Sequence, residues 1–347
     1  MVTVIVPAPC LGVRQHTAGD PLRRANPSPN GGSARPRGEQ GARMDRRDEE
    51  AAAGLEPTTF ELAMSDGRTL TYCLYGPDEG VPVIFHYGTP GVHLLSPQAV
   101  RAAVRRGIRL LVSDRPGYGG STRRPGRVAD VVEDVSRLAD ALGWDRFATW
   151  AGSGGAPHAL ACAALVTDRV RRCAAVVSPA PFDAEGLDWF AGMSLGNVEE
   201  FTRARWGEAA YRPLVERLAR EAVASVEAGE LQIPPDYHLP EGDLAALRGR
   251  LLERGHDERT RMAYLGGVDG WIDDIMAMTR SWGFDLSQID VPVSVWYGPD
   301  DVLSPRGHAE WLMAHVPGAE RRELPTGGHL LDDTDLDSLY AWLTSED

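Results

Sequence analysis

The chain has 347 residues, and 43% of them are hydrophobic, which is enough for a buried core. Its formal net charge is −14, from 36 basic and 50 acidic residues, and every basic residue is an arginine because the sequence contains no lysine. Without lysine, a Walker-type phosphate loop, a Schiff-base enzyme and a Ser-Lys dyad are excluded. The acidic charge argues against nucleic-acid binding, since such a surface repels phosphates.

The cysteines and the apolar runs bear on the location of the protein. Four cysteines without paired spacing predict isolated thiols in a reducing, cytoplasmic setting: Cys10, Cys73, Cys162 and Cys173. No apolar run approaches the roughly 18 residues that cross a bilayer. The N-terminal stretch lacks a preceding basic segment and is interrupted by prolines, so we expect neither a signal peptide nor membrane binding.

Residues 1–55 are rich in proline, glycine, arginine and asparagine, with no apolar periodicity from Gly12 to Ala53. We therefore predict a disordered N-terminal extension. Residues 1–47 carry eight arginines against three acidic residues. Two interpretations stay open: Met44 is the true start of the protein, or a basic tail binds an acidic partner.

From Thr58 onward, short β-rich runs alternate with helices. A first pair of strands flanks the hairpin signal Asp66-Gly67. Further apolar strands then alternate with helices that we predict near residues 97–106, 129–142 and 154–166. This alternation predicts parallel crossover units, with helices on both faces of a mostly parallel sheet. Residues 56–180 are therefore predicted to form the first part of an α/β core.

The strand signal stops over residues 181–285, where amphipathic helices take over, and it resumes over residues 286–347. We interpret the middle block as an insertion into one α/β domain, because a separately folding domain would leave the sheet incomplete. An insertion at this point lies above the carboxyl ends of the strands, where such sheets bind ligands. It is predicted to be a lid with an apolar pocket wall, and its large apolar residues are expected mostly to pack against the rim of the sheet domain: Trp189, Phe190, Met193, Trp206, Trp271, Met276, Met278, Trp282 and Phe284.

Ser153 follows the strand "FATWA" and precedes a helix that Gly154 opens. A nucleophile on such a sharp turn needs small residues two before and two after it, and Ala151 and Gly155 meet this need. The helix N-terminus would also aim the Gly154 N–H at a negative charge beside the serine. A dinucleotide-binding loop does not fit, because Pro157 stands at its third glycine. A glycine-rich bend without chemistry remains an alternative.

A serine hydroxyl needs a base, and the base needs an acid that orients it. Asp301 lies three residues after Gly298, just beyond a predicted strand. His329 follows Gly327-Gly328, which would let the backbone direct the imidazole over the sheet. Ser153, Asp301 and His329 are therefore our predicted catalytic residues.

Five motifs extend this pattern over residues 58–345: "FHYGTPG", "DRPGYGGS", "SGG", "GPDD" and "GGH", in this order. Together they strongly resemble the α/β-hydrolase fold family, in which the catalytic residues follow the order serine, acid, histidine. The resemblance implies an α/β-hydrolase fold, with a mostly parallel central sheet flanked by helices and an inserted helical lid. It also implies that Thr89, after Gly88, supplies the second oxyanion N–H beside that of Gly154.

The sequence departs from the family pattern before Gly88, where relatives usually carry histidine. Tyr87 stands there, and His86 comes one position earlier. The backbone donor stays intact, but any role of that histidine side chain is in doubt. Relatives that open epoxides or remove halides use an aspartate in place of Ser153, so these activities are disfavoured.

Other residues of these motifs have simpler interpretations. Asp300 is an alternative acid to Asp301, and Asp183 is a more remote one. Asp114 and Arg115 are predicted to fix a turn through side-chain to backbone bonds. Asp273-Asp274 is predicted to cap a helix or to be solvated, because no further metal ligands lie at suitable spacing. Five histidines without visible partners are predicted to be structural or exposed: His93, His158, His238, His256 and His308.

The sequence thus predicts a cofactor-independent, metal-free serine hydrolase that cleaves an ester or related acyl bond of a small, partly apolar molecule. The same fold could instead serve acyl transfer, carbon–carbon hydrolysis or peracid formation. A ligand receptor that retains the three residues but turns over slowly is a further alternative. The oligomeric state is left open.

Overall fold

A computed structural model describes residues 14–16, 57–229, 233–251, 256–264, 266–325 and 327–345. In this part of the chain, a nine-stranded sheet has the order β1-β2-β3-β5-β4-β6-β7-β8-β9. Its strands are β1 (Arg14–His16), β2 (Thr58–Ala63), β3 (Thr69–Tyr75), β4 (Val81–His86), β5 (Ile108–Ser113), β6 (Phe147–Gly152), β7 (Val170–Val176), β8 (Val293–Tyr297) and β9 (Glu320–Glu323).

Strand β3 pairs antiparallel with both of its neighbours, and the other pairs of the sheet are parallel. β2 and β3 form the hairpin that Asp66-Gly67 predicts, and Gly67 adopts a φ of 86°, which glycine tolerates. β3 pairs antiparallel with β5, and all pairs from β5 and β4 through to β9 are parallel. The prediction of a mostly parallel α/β sheet is confirmed.

Five helices pack around the sheet: α1 (Pro97–Arg105), α2 (Val131–Ala141), α3 (Ala156–Leu165), α9 (Arg306–His315) and α10 (Asp333–Leu343). α1 packs against α10, and α2 packs against α3. The central strands β4 to β8 are mostly apolar and mostly buried, as strands covered on both faces must be. Their carboxyl ends thus lie on a rigid core, which fixes the loops that follow them.

Five further helices lie between β7 and β8: α4 (Leu195–Arg205), α5 (Glu208–Ala228), α6 (Glu241–Leu251), α7 (His256–Ala263) and α8 (Asp269–Met278). We call residues 177–292 the helical insertion; its described residues contain no strand. α4 packs against α5 and α8, and its Phe201 and Ala204 are buried. Of the large apolar residues expected to pack here, Trp189, Trp271 and Trp282 are buried, whereas Trp206 is 72% exposed.

Part of the predicted disordered extension differs from the expectation. Within residues 1–55 the structure describes only Arg14–His16, and these residues form β1, parallel to β2. The physical reason is that an edge strand offers unpaired N–H and C=O groups to any adjacent backbone, whatever its side chains. The predictions for residues 1–13 and 17–55, including Cys10 and Met44, lie outside the described residues.

Three cysteines, Cys73, Cys162 and Cys173, are free and buried, as their isolated spacing predicts. Among the described residues, no helix combines the length and the apolarity that crossing a membrane requires.

Candidate active site

Ser153 lies on a strained turn between β6 and α3. Its φ is +55°, a left-handed conformation that costs free energy for any residue with a Cβ. A Cβ at Gly155 would lie 2.4 Å from the Tyr87 carbonyl oxygen, so only glycine fits two residues after the serine. Ala151 is fully buried two residues before it. The structure therefore has the sharp strand-to-helix turn that the small flanking residues predict.

Asp301 and His329 meet beyond the ends of β8 and β9. The Asp301 Oδ2 lies 2.7 Å from the His329 Nδ1, and both side chains are buried. The Asp301 Oδ1 accepts hydrogen bonds from the backbone N–H groups of Leu303 at 2.8 Å and Ser304 at 3.0 Å. The carboxylate is thus held from both sides. Of the alternative acids, Asp300 is exposed beside it.

The glycines of these two loops allow the contact. A Cβ at Gly298 would lie 2.0 Å from the Gly328 carbonyl oxygen, and Gly327 has a φ of 77°. The loop after β8 and the loop that carries His329 therefore touch backbone to backbone.

Asp183, the more remote alternative acid, is exposed on the helical insertion.

A further carboxylate, that of Asp243 on α6, holds the histidine loop from the helical insertion. Its Oδ2 accepts from the His329 N–H at 3.0 Å and its Oδ1 from the Leu330 N–H at 2.9 Å. A Cβ at Gly328 would lie 2.4 Å from the same carboxylate. Sequence reasoning missed Asp243, because nothing in its local sequence indicates a contact 86 residues further along the chain.

Thr89 and Gly154 lie close together beside Ser153. A Cβ at Gly154 would be 2.6 Å from the Thr89 Oγ1, and both residues line a cavity that Ser153 also lines. The Arg115 guanidinium holds the loop before Thr89, because Nη1 donates to the Tyr87 carbonyl and Nη2 donates to the Gly88 carbonyl at 3.2 Å. Arg115 therefore fixes this loop through its carbonyl groups.

Arg115 forms a buried ion pair with Asp274, which lies on α8 in the helical insertion. Their closest N–O distance is 2.6 Å, and the carboxylate also accepts from the Thr89 Oγ1 at 2.8 Å and the Tyr118 hydroxyl at 2.9 Å. Burial alone would raise the pKa of Asp274, but the charge and hydrogen bonds of Arg115 outweigh it and the pKa is lowered.

These contacts correct two predictions. Arg115 does not merely fix its own turn, and Asp274 neither caps a helix nor is solvated, because the two side chains neutralise each other inside the protein. Asp273 faces the other way and pairs with Arg123 at 2.8 Å. Asp114 does fix its turn, accepting from the His93 N–H at 2.7 Å and the Gly120 N–H at 3.3 Å.

Three of the histidines without visible partners are buried structural residues. The His93 Nδ1 lies 2.8 Å from Asp114, and this contact outweighs burial and raises the pKa of His93 to about 10. The His308 Nδ1 accepts from the Ala180 N–H at 3.0 Å, and burial lowers the pKa of His308 to about 4. Burial also lowers the pKa of His158 to about 4. The side chain of His256 lies outside the described residues, and His238 is exposed, as one of the two predicted alternatives has it.

His86 and Tyr87, the positions that depart from the family pattern, lie at the end of β4 and directly after it. His86 is buried and its Nε2 lies 3.9 Å from the Cys162 Sγ; burial lowers its pKa well below the usual value. Tyr87 is partly buried, and a Cβ at Gly91 would collide with its ring. His86 thus packs into the core, whereas Tyr87 lines a cavity together with Ser153 and His329.

Two cavities meet at Ser153. The first, which we call the insertion cavity, has a volume of about 400 Å³ and is lined mainly by the helical insertion. The second, which we call the histidine cavity, has a volume of about 370 Å³ and contains His329 and Trp150 in its wall. Thr89, Pro90, Ser153, Leu247 and Leu303 line both. Among the described residues, no group of three or more His, Cys, Asp or Glu side chains is placed to hold a metal ion.

A serine on a strained turn, a histidine paired with a buried aspartate and cavities that reach the serine thus lie together beyond the strands. Residues 81–334 match the alpha/beta hydrolase fold, and the chain belongs to this family. The prediction from the five motifs is confirmed at this level, and the protein is an enzyme of the hydrolase class.

Known proteins and solved structures are similar to the chain over most of its length. A pimeloyl-[acyl-carrier protein] methyl ester esterase of Nitrosomonas europaea is 28% identical over 222 residues, 64% of this chain and 78% of the relative. A non-heme chloroperoxidase of Streptomyces lividans is 26% identical over 253 residues, 72% and 84% of the two chains. A thermophilic esterase structure from Thermogutta terrifontis has a TM-score of 0.59 at 18% identity, covering 83% of this chain and 98% of that one.

Proposed function

We propose that the protein is a serine hydrolase that cleaves an ester, or a related acyl bond, of a small and partly apolar molecule through an acyl-enzyme. The observation that carries this proposal is the 2.7 Å contact between Asp301 and His329, in a site where His329 and Ser153 line one cavity. The esterase names of several relatives support a small acyl substrate.

The proposed chemistry follows from the hydrogen-bond geometry. Asp301 accepts from the Nδ1–H of His329, which leaves Nε2 unprotonated and able to act as a base. Nε2 takes the proton from the Ser153 hydroxyl while the oxygen attacks the carbonyl carbon. The same proton then passes to the leaving alcohol, and a water repeats the sequence to release the acid.

The tetrahedral intermediates carry a negative oxygen, which we propose is bound by the N–H groups of Thr89 and Gly154. Both residues line the cavity beside Ser153, and Arg115 holds the Thr89 loop by its carbonyls. Fixed donors of this kind cost no reorganisation during the reaction, and removing one typically lowers turnover by about 10² to 10³.

We further propose that the helical insertion acts as a lid over the strands' carboxyl ends. It supplies most of the wall of the insertion cavity, including Phe201, Leu218, Trp271 and Ile275. An apolar wall of this kind excludes water and binds the apolar part of a substrate.

A fluorophosphonate probe tests the nucleophile directly, because it reacts only with an activated serine. We expect the wild type and a Ser304→Ala variant to be labelled, since Ser304 lines the same cavity without the strained turn. We expect Ser153→Ala to remain unlabelled. Equal labelling of wild type and Ser153→Ala would refute the proposal.

The fate of the acyl-enzyme is a separate question, since one relative is named a chloroperoxidase. The hydrolase proposal expects water to be the preferred acyl acceptor. Product analysis with p-nitrophenyl butyrate, in water and with added methanol or hydrogen peroxide, measures this preference. Predominant transfer to methanol or peroxide at low acceptor concentration would replace hydrolysis with the corresponding transfer activity.

A further inference from the structure

The insertion cavity contains a buried carboxylate that the proposed mechanism does not use. Glu200 lies on α4, is 5% exposed, and lines the same cavity as Ser153. Most of the remaining wall is apolar. Burying a carboxylate in such a wall costs free energy unless hydrogen bonds and an opposite charge compensate it.

The hydrogen-bond partners of Glu200 in the described structure are neutral. The Tyr211 hydroxyl donates to Oε2 at 2.7 Å, and the Tyr237 hydroxyl donates to Oε1. The other acidic residue of the cavity, Glu221, already pairs with Arg217 at 3.1 Å. Among the described residues that line the cavity, none is an arginine or a histidine. Within the described part of this wall, Glu200 thus has hydroxyl hydrogen-bond donors and no cation beside it.

A cation inside the cavity would complete this environment. Burial raises the pKa of Glu200, while the tyrosine hydrogen bonds act in the opposite direction. A positive charge beside the carboxylate favours its ionised form. The attraction between the two charges is strong in a buried site and offsets the cost of removing the carboxylate from water. The substrate is the natural source of such a charge, because Glu200 and Ser153 share one cavity.

The aromatic residues around Glu200 narrow the class of cation. Phe201, Tyr237 and Trp271 line the same cavity as the carboxylate. Aromatic rings attract organic cations through their negative faces, and substituted ammonium groups are bound in aromatic cages. An alkylammonium group matches both the apolar rings and the carboxylate, whereas a metal ion would require more oxygen ligands.

We propose that the insertion cavity is a subsite for an alkylammonium group, with Glu200 as the residue that determines this specificity. The substrate is then an ester that carries a positively charged amine away from the bond that is cleaved. The volume of about 400 Å³ accommodates such a group. This inference rests on the proposed function.

Two p-nitrophenyl esters of equal shape test the proposal. One is the ester of 4-(trimethylammonio)butyric acid, and the other is the ester of 5,5-dimethylhexanoic acid, in which carbon replaces the charged nitrogen. Each kcat/KM is divided by the rate of the ester's uncatalysed hydrolysis. We expect the wild type to favour the cationic ester at least tenfold, about 1.4 kcal/mol. If the normalised kcat/KM of the wild type is equal for the two esters, or higher for the neutral ester, the proposal is overturned.

The Glu200→Gln variant keeps the shape and removes the charge, so we expect the ratio between the two esters to fall towards one. The matched control is Glu199→Gln, which removes the same charge at the next position, where Glu199 pairs with Arg203 at 2.6 Å outside the cavity wall. The control should keep the wild-type ratio. If Glu200→Gln also keeps the wild-type ratio between the two esters, the preference does not depend on Glu200 and the proposal is overturned.

A binding measurement separates this inference from the proposed catalysis. Calorimetry with tetraethylammonium chloride is performed on Ser153→Ala and on Ser153→Ala combined with Glu200→Gln. We expect the second substitution to raise Kd at least fivefold, whether or not the wild type hydrolyses esters. Equal binding by both proteins, or no binding by either, overturns the subsite. Absence of ester hydrolysis together with the expected binding refutes the proposed function alone.

Discussion

Ser153 holds a left-handed backbone conformation between closely packed neighbours. Gly155 lies against the carbonyl groups of the loop after β4, and Ala151 is buried in β6. These constraints are local in sequence, which is why a short motif predicts them. Asp301 and His329 are 28 residues apart in the sequence. Their contact was nevertheless predictable, because both residues follow strands whose carboxyl ends meet at one edge of the sheet.

The choice between Asp301 and Asp300 gives a first prediction. We expect Asp301→Asn to lower kcat for p-nitrophenyl butyrate by about 10⁴, because an amide no longer fixes the histidine tautomer. Asp300→Asn is the matched control, since Asp300 is exposed. It should change kcat by less than about threefold, in line with a surface substitution of a few tenths of a kcal/mol. The reverse order of effects would assign the acid role to Asp300.

The buried pair of His93 and Asp114 gives a prediction about pH. The pKa of His93 is raised to about 10, above the ordinary value of about 6.5 in an unfolded chain. The contribution of the His93–Asp114 pair to the free energy of unfolding is therefore complete below about pH 6.5, and it is lost as the pH rises through about 10. Urea unfolding should show that the stability difference between wild type and His93→Gln is largest at pH 6 and shrinks at pH 8 and pH 10. A difference that grows with pH would contradict this.

Among the helices, α6 makes a contact that its own sequence does not reveal. Asp243 binds two consecutive N–H groups of the loop that carries His329, so the helical insertion takes part in positioning the histidine. Amphipathic periodicity predicts that such helices exist. It does not predict where a given polar side chain of an insertion meets the core, because this depends on how several helices pack together.

This contact gives a prediction at the level of the helix. We expect Asp243→Ala to lower kcat by about 10², the cost of a small misplacement of a catalytic group, while KM changes less. Asp243→Asn should recover part of kcat, because its single oxygen can still accept one of the two hydrogen bonds. Steady-state kinetics of both variants, with the exposed Glu241→Gln as control, test this. An effect on KM alone would contradict a positioning role.

The molecule as a whole is joined across its two parts by the Arg115–Asp274 ion pair. One partner follows β5 in the core, and the other lies on α8 in the helical insertion. The sequence predicted the mostly parallel sheet and the run of helices that precedes its last strands, since hydrophobic periodicity carries this information. It could not predict the ion pair, because the two residues are 159 positions apart and each has an ordinary local explanation.

Removing one partner of this pair leaves a buried charge without compensation. We therefore expect Asp274→Ala to lower the free energy of unfolding by about 3–5 kcal/mol. The control is Asp337→Ala, which removes an exposed ion pair with Arg105 and should cost at most about 1 kcal/mol. Urea denaturation of both variants measures the two costs. Similar values would mean that the buried pair does not link the two parts.

The position of Ser153 between two cavities has a consequence for the order of events during turnover. Under the proposed acyl-enzyme mechanism, a substrate whose cleaved bond lies at Ser153 would place one half in each cavity. The freed alcohol would then leave from one chamber while the acyl half stayed bound in the other. The emptied space would become the route by which water reaches the remaining bond.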